Sequence, residues 1–207
     1  MYILKNITDH IIFRFLSRIT DFFLLNILWI IFSIPLFTMG ASTAALYSVT
    51  FKLIQKNESY IAREFFYAFK NNFKQGTALW FGSLFLQLIL TAVFLIIWQM
   101  DLAFLGNILF AFLFIIEFFV ISMSLYAYAL IARYTLSLSA VIKNSFLLSF
   151  GRLPYSMLMI LICLLPVILT CLNLYTLLAG ILFYFTIGIS LLCWLLSHIS
   201  LYIFKFF

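Results

Sequence analysis

One acidic side chain in this sequence stands where chemistry would be expected of it. Glu117 lies about ten residues into a long apolar run, roughly 15 Å along a helix and so near the centre of a bilayer. An ionised acid at that depth costs about 2.5–3.5 kcal/mol on insertion scales, and such residues face a partner or a cavity. Gln87 stands at matching depth in the preceding run, twelve residues before Gln99, while Glu117 is eleven after Gly106. The two runs share a short turn and should be neighbours, so a Glu117–Gln87 hydrogen bond is geometrically reasonable. Two readings stay open: a protonated acid joining helices, worth about 0.6–2 kcal/mol, or a proton or substrate site. Asn26 and Pro35, both in the first apolar run, complete the candidate intramembrane polar site. Proline frees a backbone carbonyl, and Ser33, Thr38, Gly40, Ser42 and Thr43 around it make that run the most polar and most breakable.

Other reactive residue types stand alone. His198 has no second histidine or carboxylate at ligand spacing, and Asp101 falls in a short turn. Cys163, Cys171 and Cys193 sit inside apolar runs, where a thiol stays protonated and inert. Neither a metal site nor a cofactor motif is expected. Hydrolysis within a bilayer needs a nucleophile–base pair or a metal dyad, so the expectation is that the protein is not an enzyme.

The elements that must position these residues are read from hydropathy. Hydrophobic residues make up 67% of the 207 and charged ones 9%, against roughly 25% charged in an average soluble domain. Such a chain could not cover itself with a solvated surface. Runs long enough for a helix to cross a bilayer, about 18 residues or more, place spans near 22–46, 77–98, 107–132, 154–174 and 177–204. The expected class is an all-α, polytopic membrane helical bundle forming a single integral membrane domain over 1–207. Its first partner is the lipid bilayer. The net charge of +6 is read as the lysine and arginine excess of cytoplasmic loops, and not as nucleic-acid binding.

Charge also orients the spans. The stretches 47–76 and 133–153 are basic, while 99–106 and 172–176 hold no lysine or arginine. With the basic stretches inside, the N-terminus lies outside and the C-terminus in the cytoplasm of a bacterial plasma-membrane protein; nine basic residues are in and three, Lys5, Arg14 and Arg18, are out. Those three are accommodated if residues 3–20 form a short amphipathic helix on the membrane, with Arg18 able to pair with Asp21. The rival is an N-in form with a hairpin around Pro35, for which residues 22–51 are too few to cross twice at about 20 each. Residues 40–45, GASTAA, look like a leader-peptide cleavage site, but the run before them is longer than the ~7–15 residues of such a leader. A retained first helix is expected.

Two stretches resemble each other. AALYSVTFKL followed by YAFKNNFKQ is echoed by MSLYAYALIAR followed by NSFLLSFGR, aligning Tyr47 with Tyr126 and Phe69 and Phe73 with Phe146 and Phe150. Each contains an amphipathic helix, about 58–75 and 137–151. In the first, Ile61, Phe65, Phe69 and Phe73 recur opposite a wet face of Arg63, Lys70, Asn71 and Lys74. In the second, Leu138, Ile142, Phe146 and Phe150 recur opposite Lys143, Ser145 and Ser149. Such stripes bury one side, so both helices are candidates to lie on lipid or to dock a partner, with Gly151 and Pro154 stopping the second. The unit reads as a parallel internal repeat of the kind found in some transporters.

The run from Leu16 to Thr77 resembles the signature of the YesL-like family of bacterial membrane proteins. The residues that carry it are Arg18, Asp21, Asn26, Leu28-Trp29, Pro35, Thr38, Gly40-Ala41, Thr43 to Tyr47 and the FFYAFKNNFKQ helix. The resemblance implies an inner-membrane protein of five or six spans whose genes lie near carbohydrate ABC transporters, and no established activity. Two functions are therefore carried forward. The first is an accessory or regulatory component partnering a carbohydrate transporter complex or another membrane protein. The second is a stand-alone transporter or channel with a polar track through spans one to three.

Overall fold

The computed structural model describes the backbone of residues 2–55, 60–100 and 103–205, and side chains at 16–55, 60–100 and 104–205. The side chains of Lys5, Asp9, Arg14, Lys56 and Asp101 lie outside the described residues. Apart from short connections the described residues are helical: α1 (Tyr2–Ser33), a 3-10 turn (Leu36–Thr38), α2 (Met39–Ile54), α3 (Ile61–Gln99), α4 (Ala103–Arg133), α5 (Leu138–Gly151), α6 (Leu153–Thr170), α7 (Leu174–Phe183), a π turn (Tyr184–Gly188) and α8 (Ile189–Ile203). Five stretches are long and apolar enough to cross a membrane: Leu16–Ser33, Ile61–Gln99, Phe104–Arg133, Leu153–Thr170 and Leu174–Ile203. This is a multi-pass membrane protein.

The first crossing differs from the span expected over 22–46. Pro35 cannot donate a helical hydrogen bond, and the helix stops at Ser33. Pro35 is extended (φ −74°, ψ 107°), and its carbonyl accepts from the Thr38 backbone N–H at 2.8 Å. The Thr38 hydroxyl lies 2.5 Å from the Phe32 carbonyl and 2.6 Å from that of Pro35, so the acceptors released by the break are met locally. α2 then doubles back along α1. The Trp29 indole donates to Thr43 (3.2 Å), and the Arg18 guanidinium reaches the Leu53 carbonyl (3.4 Å). The hairpin around Pro35 forms because α1 draws on residues before 22 and α2, only 16 residues long, is sheathed in protein. Residues 3–20 are correspondingly the start of α1, continuous with the crossing, instead of a separate short helix.

α2 is the centre of the molecule. Ala41, Ala44, Ala45, Leu46, Tyr47, Val49 and Phe51 are all at most 4% exposed. The small residues at 40–45 let α3 approach until backbones touch. A Cβ on Gly40 would meet the Gly76 carbonyl, and one on Gly76 would sit 2.8 Å from the Ala41 backbone. The Lys52–Glu64 ion pair ties the other end of this antiparallel pair.

The amphipathic helix expected over 58–75 and the span over 77–98 are one helix, α3, of 39 residues. The joint falls at Gly76, where the absent side chain serves the contact with α2 and the backbone stays helical. In the stretch aligned with it in sequence the joint does break, at Arg152 (φ −128°, ψ 44°) between α5 and α6. Tyr47 and Tyr126, aligned in the repeat, are both buried (2% and 0%) in one core.

That core occupies one end of the bundle: α2, the start of α3, the end of α4, α5, the start of α6 and α8. The arms beyond it are bare, and no residue in the most apolar window of α3 is buried. Phe81, Phe85, Leu88, Phe112, Phe114, Leu161 and Leu182 all face outward, as lipid-facing side chains must. Every described lysine and arginine (Arg18, Lys52, Arg63, Lys70, Lys74, Arg133, Lys143, Arg152 and Lys205) belongs to the packed end, and residues 77–132 contain none.

Gly76→Ala should destabilise the detergent-solubilised protein by about 1–3 kcal/mol through overpacking. Gly82→Ala, where an added methyl meets nothing within 4 Å, should be neutral or gain up to about 1 kcal/mol from helix propensity. Chemical unfolding followed by tryptophan fluorescence measures both.

Candidate functional site

The four residues of the candidate intramembrane site are placed in three separate locations. Gln87 donates to the Glu117 carboxylate across the α3–α4 pair, and the two line a groove of about 170 Å³ with Leu90, Thr91, Phe94, Leu113 and Phe114. Their helical depth put them opposite each other in sequence, and the structure brings them into contact. Glu117 is half-buried and Gln87 exposed, so the pair lies at the margin of the helix–helix contact. A glutamine side chain can donate to a carboxylate or a carboxylic acid, so the pairing suits either protonation state.

Asn26 goes elsewhere. It is fully buried and spans the π turn: its amide donates to the carbonyls of Tyr184 (3.0 Å) and Phe185 (2.8 Å), and its oxygen accepts from the Ser190 N–H (3.1 Å). A π turn shifts the hydrogen-bond ladder by one residue and upsets the pairing around it. The side chain amide of α1 fills that gap. Ser190 returns the contact by donating to the Phe22 carbonyl (2.8 Å). No hydrogen bond among the described residues links Asn26 to Gln87 or Glu117. Pro35 is exposed at the break with Ile34, Leu36 and Phe37 around it. These polar residues do not form a continuous track.

The two amphipathic helices turn opposite faces to the protein. In α3, Phe65 is fully buried and Phe69 packs on the core; the Phe32 ring meets them at 5.6 and 4.8 Å. Phe73 follows at 5.6 Å from Phe69. Phe65 and Phe69 are thus packed inward, away from a lipid-facing or docking surface, while Phe73 is half-buried beside Phe69. Arg63, Lys70 and Lys74 stay exposed on the outer side. In α5 the arrangement inverts. Val141 (0%), Ser145 (0%), Leu148 (6%) and Ser149 (1%) are the buried residues, and the two serine hydroxyls bond to the Val141 and Ser145 carbonyls at 2.7 and 2.8 Å. Small self-satisfied serines allow close helix contact in an apolar setting. Ile142, Phe146, Leu147 and Phe150 are left pointing out at 41–54% exposure. The Phe150 ring stacks on Phe119 at 3.9 Å, and Phe146 lies 4.7 Å from Phe150. Hydropathy alone cannot distinguish these cases, because either face of such a helix can be inward when lipid surrounds it.

Sequence reasoning passed over a cleft at the other end of α3. It measures about 800 Å³ and opens at the basic end between α2, the first turns of α3 and residues 131–137. Its walls are joined by two bonds, from the Ser48 hydroxyl to the Ala132 carbonyl (3.2 Å) and from the Gln75 amide to the Leu136 carbonyl (2.8 Å). The Lys52–Glu64 pair lies within it, as do Asn71, Lys74 and Arg133. The signal available in sequence was a cluster of amides and cations at 70–75, which read as one wet helix face. The facing wall, Arg133–Ser137, is remote in sequence and could not be assigned to it.

His198 is exposed against the Trp194 ring (4.3 Å). Cys193 is buried beside Thr50 (3.7 Å), whose hydroxyl also meets Ser197 at 2.7 Å. These contacts fill space between α2 and α8.

Glu117→Gln should fold like the wild type, since it retains an acceptor for Gln87, with a melting temperature in detergent within a few degrees. Asn26→Leu strands up to three buried backbone groups, each about 1–3 kcal/mol when unpaired. It should lower stability by at least about 2 kcal/mol in the same assay.

No curated protein and no solved structure matches the chain. Residues 22–102 match the family model described as "Protein of unknown function, DUF624". That segment takes in the later part of α1, the break at Pro35, α2 and all of α3. The hairpin and the long helix packed on it therefore carry this chain's similarity to the DUF624 family, in which YesL-like proteins fall.

Proposed function

We propose that this protein is a non-enzymatic accessory or regulatory component of carbohydrate uptake in a bacterial plasma membrane, docking a transporter through α5. The carrying observation is the outward stripe of Ile142, Phe146, Leu147 and Phe150 on the same end of the bundle that gathers the basic residues. Placing that end in the cytoplasm follows the excess of lysine and arginine in cytoplasmic segments. Arg18 then joins it, because α2 brings Leu53 back beside Arg18; the described start of α1 is cytoplasmic as well. The resemblance to YesL-like proteins supplies the carbohydrate context. A stripe at that level could instead rest among inner-leaflet headgroups, and the test below distinguishes the two.

The second reading, a stand-alone transporter or channel, draws on the Gln87–Glu117 groove. It is weakened by the separation of Asn26 and Pro35 from that pair, which leaves no shared polar line through spans one to three.

A photocrosslinking amino acid at Phe146, installed in the native membrane, should capture a subunit of a carbohydrate transporter. The same group at Phe85, on the bare arm of α3, should capture lipid alone. Lipid adducts alone at both positions would sink the docking role. Sugar flux through the purified protein in liposomes would select the transporter reading.

A further inference from the structure

We infer that the cleft between α2, α3 and residues 131–137 is a binding site for a phosphate-bearing ligand. Its volume of about 800 Å³ falls in the range of small-molecule pockets, about 300–1,000 Å³. The charges within it do not cancel. Glu64 is taken by Lys52, whereas Lys74 from α3 and Arg133 from the end of α4 form no ion pair among the described residues. Two cations without an acidic partner among the described residues, on facing walls of a concavity, focus a positive potential into it.

The donor types suit a phosphate. The Arg133 guanidinium is a planar fork able to hold two phosphate oxygens, and Lys74 adds a mobile point charge for a third. The Arg133 guanidinium lies 5.7 Å from the Tyr134 ring centre, a contact that limits the wandering of a long side chain. The Asn71 amide on the same wall can serve hydroxyls attached to the phosphate. The walls are set in advance by the Ser48–Ala132 and Gln75–Leu136 bonds, which lowers the ordering cost of binding.

The phosphate has two possible sources, a soluble sugar phosphate or the headgroup of an anionic phospholipid. The cleft adjoins the level of Gly76, beyond which α3 carries no charged residue, so a headgroup reaches it as readily as a solute does. The site does not depend on whether α5 docks a partner.

The test uses the full chain in nanodiscs. One arm titrates glucose 6-phosphate, with inorganic phosphate as competitor, into phosphatidylcholine nanodiscs by calorimetry. The other compares retention of phosphatidylglycerol and phosphatidylcholine by native mass spectrometry. Saturable, phosphate-competed binding in the first arm, or selective retention of phosphatidylglycerol in the second, is expected and identifies the source. In K74Q/R133Q that binding should weaken by about tenfold or more, since charge-assisted hydrogen bonds are lost. In R133K it should fall partway, because the charge stays but the fork goes. K143Q, on α5 outside the cleft, should match the wild type. Should K74Q/R133Q fail to elute as the folded protein, R133K and K74Q singly provide the readout. Failure of both probes to bind, or binding indifferent to these substitutions, overturns the assignment.

Discussion

The architecture depends on one contact made without side chains. Gly40 and Gly76 let the backbones of α2 and α3 touch, and α2 thereby becomes the rod around which the packed end is built. In lipid no hydrophobic force drives one helix onto another, because the acyl chains are as apolar as leucine. Association must come from close packing and polar contacts, and α2 has both. Its alanines lie against α3 and α8, Thr50 bonds to Ser197 on α8, Ser48 reaches the end of α4, and Lys52 closes the pair with Glu64. A helix of 16 residues is too short to be a comfortable crossing at about 20, and its length is acceptable because protein, and not lipid, surrounds it.

A second constraint shapes α1. Backbone groups released inside a membrane must find partners within the protein. Two irregularities among the described residues, the break at Pro35 and the π turn, are bordered by α1. Thr38 resolves the first within its own turn. Asn26 resolves the second at a sequence distance of 158 to 164 residues. The polar residues that invite a functional reading in a membrane sequence can therefore be structural, as Asn26 is. Its partners are backbone atoms of another helix, and no feature of the surrounding sequence names them.

Much was legible before the structure. Long apolar runs gave the class, the equal depth of Gln87 and Glu117 gave their pairing, and Gly151 with Pro154 marked the joint between α5 and α6. Four things were not legible, each for a physical reason. Proline ended a helix that hydropathy read as continuous, because an apolar count is blind to backbone direction. Glycine did not end α3, because the weak helix former was needed for contact with α2. The stripes of α3 and α5 look alike in period yet face opposite ways, since an aromatic face and a face of serines with Val141 and Leu148 are both workable against a protein wall when lipid covers the other side. The cleft at the basic end was the hardest to foresee, being assembled from segments some sixty residues apart.

The bonds from Asn26 and Ser190 bear on how the molecule can move. Sliding α1 by a single helical turn against the π turn and α8 would rupture all of them together. The first helix and the last two must accordingly travel as one rigid body. Any rocking motion would have its pivot elsewhere, at the Pro35 turn or at the Arg152 joint.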